Sequence, residues 1–169
     1  GDDLDLFGPD TMATISASPN KGVFVNYQRV SGSLEGAGGS TPIVGKGTVR
    51  LCLKDTKGKF HNFSIPNVYH VAKLLSGAHS KRQILSTKDL KLQGLCYWDH
   101  PTRGPSLKDT TTGSLFPLCK GKSGLYDLLT HKPSLPQYAL HLSARERSRS
   151  YRMEAFPKPV TMFRLHISL

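Results

Sequence analysis

Asp10 and Thr11 are the residues whose types and neighbours raise chemistry first. They stand in the stretch GPDTMATISASPNKGVFVNY, residues 8–27. The best-known Asp-Thr motif continues with glycine, which lets the backbone turn tightly and be approached closely. Met12 occupies that place here. The same dipeptide recurs at Asp55-Thr56 and Asp109-Thr110, followed by Lys57 and Thr111. Neither recurrence supplies a second Asp-Thr-Gly.

Other reactive types are scattered. His61, His70 and His79 recur every nine residues in unlike settings, which reads as surface or loop histidines rather than a metal site. Cys52, Cys96 and Cys119 are odd in number and far apart. They suggest neither a disulfide framework nor a zinc knuckle, and a reducing compartment suits them. Glu35 to Ser40, EGAGGS, lacks the Gly-Lys-Ser/Thr and the strand-to-helix switch of a phosphate loop, so it reads as a turn or flap. Trp98, the one tryptophan, follows Tyr97 and is flanked by Leu95 and Cys96. It could stack on a base, but the apolar setting favours a core anchor. No metal and no cofactor is expected.

The elements that must position these residues are β-strands. In PIVGKGTVRLCLKD, Val49, Leu51 and Leu53 alternate with Thr48, Arg50 and Lys54, the period of a half-buried strand, with Cys52 on the polar side. Asp55 to Lys59 form a glycine-containing turn and Phe63 and Ile65 continue the alternation, so residues 42–65 predict a hairpin. Asn67 to Val71 predict a further short strand after Pro66. ILSTKDLKLQG predicts a helix of about two turns, with Ser86 or Thr87 as N-cap and Gly94 as stop. LCYW, SLKDTTTGSLFPLC and SGLYDLL are short apolar segments that read as a second run of strands. The fold class is mainly β with one short helix, nearer a small barrel than a layered α/β fold.

With 169 residues, the chain suffices for one medium domain and a tail. The formal charge is +11, from 23 Lys and Arg against 12 Asp and Glu, and four of those acids lie in the first ten residues. A solvated basic surface accounts for this, and polyanionic partners are tolerated. From Thr130 onward prolines and the run Arg145, Arg147, Arg149 and Arg152 predict a largely disordered basic tail. No apolar run is long enough for a membrane span and the acidic start is unlike a signal peptide, so the chain reads as intracellular, in cytoplasm or nucleus, unless a leader was removed.

Residues 10–27 resemble the start of the protease-like region in Pol polyproteins of copia-type retrotransposons, where Asp-Ser/Thr-Gly-Ala-Thr leads at this distance to Phe-x-x-Tyr. The resemblance continues through GGSTPIVGKGTVRLCL, IPNVYHV, QILS, LKDTTTGSL and KGKSGLYDL in order, covering most of residues 10–130. It implies a small retropepsin-like β-barrel over 1–94, a β-rich pre-integrase-like extension over 95–129, and the irregular tail over 130–169. It also implies Asp10 as catalytic aspartate, Thr11 as its supporting hydroxyl, and a flap containing Gly38, Gly39, Ser40 and Gly45. Such chemistry requires two carboxylates sharing one proton, and a chain with one motif obtains the second by homodimerising.

Three departures fall on the motif. Met12 replaces glycine, Gly8-Pro9 interrupt the apolar strand expected to lead into the aspartate, and Ser16-Ala17 stand where such chains usually have His and Met. The tail also lacks the His-His-Cys-Cys module that follows in those polyproteins. The reading is a degenerate, non-catalytic Pol-type β-barrel domain that self-associates at most. The alternative is an active homodimeric aspartic endopeptidase, and a weaker one is non-specific nucleic-acid binding by the tail.

Overall fold

The computed structural model describes residues 4–36, 39–74, 83–121, 124–131 and 160–165. In chain order these form β1 (Leu4–Asp10), β2 (Ala17–Ser18), a 3-10 turn at Lys21–Val23, β3 (Phe24–Gly36), β4 (Gly39–Lys54), β5 (Phe60–His70), β6 (Gln83–Ser86) and α1 (Thr87–Leu92). Then follow β7 (Leu95–His100), β8 (Gly104–Asp109), β9 (Leu115–Pro117), β10 (Cys119–Lys120), β11 (Tyr126–His131) and β12 (Val160–Leu165). The fold is mainly β with one short helix. A nine-stranded sheet has the order β10-β11-β1-β6-β2-β5-β4-β3-β12, and a three-stranded sheet the order β7-β8-β9. No pairing among the described residues joins the two ends of the large sheet.

The β4–β5 hairpin follows its sequence pattern. Val49, Leu51 and Leu53 are fully buried, as is Ile65 opposite Val49. Cys52 is buried as well, because β11 covers the other face and Thr130 Oγ1 accepts the Cys52 N–H at 3.3 Å. Burial pushes its thiol pKa up. The strand expected after Pro66 is not separate. β5 runs through it, and the register slips between Gly47 and Val49, opposite Val68 and Ile65. Asn67, at φ 59°, and Pro66 lie in that slip. A proline, having no N–H to donate, and a residue with positive φ suit a bulge.

β1 corrects a second expectation, since Gly8 and Pro9 do not interrupt it. Its first half pairs antiparallel with β11, up to Phe7 opposite Leu128. Its second half pairs parallel with β6, setting Gly8 beside Ile84, Pro9 beside Leu85 and Asp10 beside Ser86. Beyond Phe7 only one side of β1 is paired, so the N–H that proline lacks is not required by a second neighbour.

The expected boundary at residue 94 is crossed by the core. Phe7, Leu51 and Leu85 share one buried cluster with Leu95, Leu107, Phe116 and Leu128. β11 then inserts into the large sheet beside β1 and ends at His131 rather than at residue 129. Residues 160–165 of the expected irregular tail pair parallel with β3, Val160 opposite Gly32 and Leu165 opposite Gly36. The edge of β3 thus takes up part of that segment. Residues 132–159, with Arg145, Arg147, Arg149 and Arg152, lie outside the described residues.

Candidate active site

Asp10 ends β1, and the chain turns immediately after it. Its Oδ1 accepts the Met12 N–H at 2.8 Å. Thr11 is exposed and Met12 is 54% exposed. Thr11 Oγ1 and the second oxygen of Asp10 have no hydrogen-bond partner among the described residues. The other two Asp-Thr pairs begin with the same bond. Asp55 Oδ1 accepts from Lys57 N at 2.9 Å, and Asp109 Oδ1 from Thr111 N at 2.9 Å. There the second oxygen is engaged too, by His61 Nε2 at 2.7 Å for Asp55 and by Thr112 Oγ1 at 3.1 Å for Asp109. Both turns close with a glycine of positive φ, Gly58 at 84° and Gly113 at 75°. The His61 contact foremost, against a partial desolvation cost and helped by the Lys59 and Lys57 N–H groups, holds the Asp55 carboxyl below the usual range.

The far side of the loop is fixed by polar groups whose joint role the sequence did not show. Ser16 is wholly buried. Its hydroxyl accepts the Ser86 N–H at 2.9 Å and donates to Asp89 Oδ2 at 2.7 Å. The Ser86 hydroxyl donates to the Ala13 carbonyl at 2.8 Å instead of capping α1. Ser18 Oγ donates to Gln83 Oε1. This seam joins the loop to β6 and α1, and its serines and Gln83 are buried, so each must find an internal partner. Ser16 therefore has a structural task of its own. The only trace of it in sequence is the spacing of Ser16 and Ser18 by two within an apolar stretch.

The β3–β4 hairpin folds over this loop. Leu34 and Ile43, on its two strands, share a buried cluster with Ala13, Ile15, Ala17 and Ile84. Gly39, at φ 110°, and exposed Ser40 stand at its tip, opposite Gly36 and Glu35. Gly38 lies outside the described residues. Gly45 is not at the tip: it is buried within β4, opposite Arg29, and a Cβ there would collide with the Tyr27 ring and hydroxyl.

Tyr27 shares a hydrogen bond of 2.8 Å with His70 Nδ1, and the rings of Phe24, Tyr27 and His70 lie within 5.7 Å of one another, centroid to centroid. The spacing of Phe24 and Tyr27 follows from a bulge. The register of β3 slips between Val25 and Gln28 around Asn26, at φ 53°, so residues three apart meet on one face. His70 is consequently 8% exposed, not a surface histidine. Burial first, opposed by the Pro19 backbone and reinforced by Lys21, lowers its pKa. His61 is also partly buried, held by Asp55 and edge-on to Phe116, whereas His79 is outside the described residues.

Among the described residues no group of three or more His, Cys, Asp or Glu side chains could hold a metal ion. No helix among them is long and apolar enough to cross a membrane. Comparison with family models, curated proteins and solved structures finds no match.

Proposed function

We propose that the chain is a non-catalytic β-domain carrying a degenerate aspartic-protease loop of the copia Pol type. One observation supports this above the others. Of the three Asp-Thr pairs, two are absorbed into hairpin turns with both carboxylate oxygens engaged, which leaves Asp10 with an open oxygen and an exposed methionine two residues on. Acid-base hydrolysis by a carboxylate dyad requires a second carboxylate within hydrogen-bond reach of the first. Neither turn supplies it, and in the copia-type reading the second comes from another copy. Met12 stands beside the surface such a copy would have to approach, and its side chain has the bulk that glycine avoids.

The test compares hydrolysis of a peptide library by the wild type, by Asp10→Asn, by Met12→Gly, and by Met12→Gly combined with Asp10→Asn, at acid and neutral pH. No turnover is expected from the wild type. Turnover by Met12→Gly that disappears with Asp10→Asn would establish both the origin of the loop and the reason for its silence. Wild-type turnover abolished by Asp10→Asn would instead establish an active homodimeric endopeptidase.

A further inference from the structure

Trp98 was expected in the core and lies at the surface, 44% exposed, with Tyr97 beside it at 46% and Tyr126 at 37%. Among the described residues, β7, which carries Tyr97 and Trp98, is an end strand of its sheet. Cys96 pairs directly with Lys108 and Trp98 with Ser106, which makes Lys108 the diagonal neighbour of Trp98. The Lys108 ammonium sits 4.3 Å from the centroid of the indole. Tyr97 pairs with buried Leu107 and belongs to the opposite face of β7. Its hydroxyl pKa is raised, by partial burial first and then by Asp99 and Tyr126.

We infer that this edge of the small sheet is a stacking site for single-stranded nucleic acid, with Trp98 as the base platform and Lys108 as a phosphate contact. Large exposed aromatic rings lose hydration cost when a flat partner covers them, and every base offers such a face. The Lys108 ammonium covers one face of that ring, so a base stacks there as the flexible lysine side chain swings off it onto a backbone phosphate. The charge of the whole chain, +11, favours a polyanion. An extended peptide could also add to the free edge of β7, but a neutral one would gain nothing from that charge. The site is remote in sequence from the Asp10 loop and does not rest on the reading proposed for it.

Since Trp98 is the one tryptophan of the chain, its emission reports on this site alone. The full-length protein is titrated with oligothymidylate and, separately, with a neutral extended peptide, following tryptophan emission and the anisotropy of labelled oligonucleotide. The expected result is quenching by the oligonucleotide, an affinity that falls steeply with salt, and roughly tenfold or greater weakening in Trp98→Ala, with Trp98→Phe near wild type. Lys108→Gln should weaken binding and flatten the salt dependence. Replacing Arg145, Arg147, Arg149 and Arg152 by Gln should leave the quenching in place. Unchanged emission on binding, equal affinity of Trp98→Ala, or quenching only by the peptide would each overturn the assignment. The wild-type quenching decides the matter even if Trp98→Ala fails to fold.

Discussion

The loop at Asp10 and the turns at Asp55 and Asp109 begin with the same two residues and the same hydrogen bond, from the third residue's N–H to the aspartate Oδ1. They differ in what comes next. At Asp55 and Asp109 the chain reverses within a few residues through Gly58 or Gly113, and the second oxygen is engaged, by His61 after the turn at Asp55 and by Thr112 within the turn at Asp109. After Asp10 no such glycine follows, and the chain runs on through Ala13 and Ile15 under the β3–β4 hairpin. An Asp-Thr pair is thus a local turn starter in itself. Whether its carboxylate is enclosed or left open is decided by the residues after it and by the elements that cover them.

The largest expected effect lies at the back of the open loop. Ser16→Ala strands the buried Ser86 N–H and deprives Asp89 of its donor, and should destabilise the fold by about 2–3 kcal/mol in chemical denaturation. A loss below about 0.5 kcal/mol, the size of an ordinary surface change, would mean that the seam does not hold the loop. The contrast between the two kinds of Asp-Thr pair comes next. Asp109→Ala removes the acceptor for Thr111 N and Thr112 Oγ1 from a carboxylate only 7% exposed, and should cost about 1.5 kcal/mol. Asp10→Ala leaves only the Met12 N–H, which water can reach, and should change stability by less than about 0.5 kcal/mol. Equal costs would erase the distinction drawn between them.

The smallest effect is confined to acid pH. The folded-state pKa of Asp55 is lowered, so the unfolded chain binds its proton more readily. Its contribution is complete above the unfolded value, roughly 3.9, and is lost as pH falls through the folded one. Asp55→Asn should therefore flatten the stability profile below about pH 4, measured by urea midpoints across pH. A mutant whose acid limb matches the wild type would show that His61 and the turn amides do not hold this carboxylate in its charged form.

The sequence by itself determined the parts governed by neighbours along the chain. The alternation of Val49, Leu51 and Leu53, the Asp55 to Lys59 turn, and the helix stopped by Gly94, at φ 80°, all form as their local patterns require. Such features depend on residue spacing and turn chemistry, which are local. The Asp10-Thr11-Met12 loop was also visible as a candidate, since its residue types alone mark it. Only the tertiary structure decided what each strand would lie against. Cys52 is buried because β11 returns over it, Pro9 is tolerated within a strand because β1 changes partners at Phe7, and Trp98 lies exposed on an end strand of the small sheet. Ser16 finds its partners 70 and 73 residues away. Burial and polar satisfaction at these positions are set by pairings distant in sequence, and a side chain's type does not specify which strand will arrive beside it.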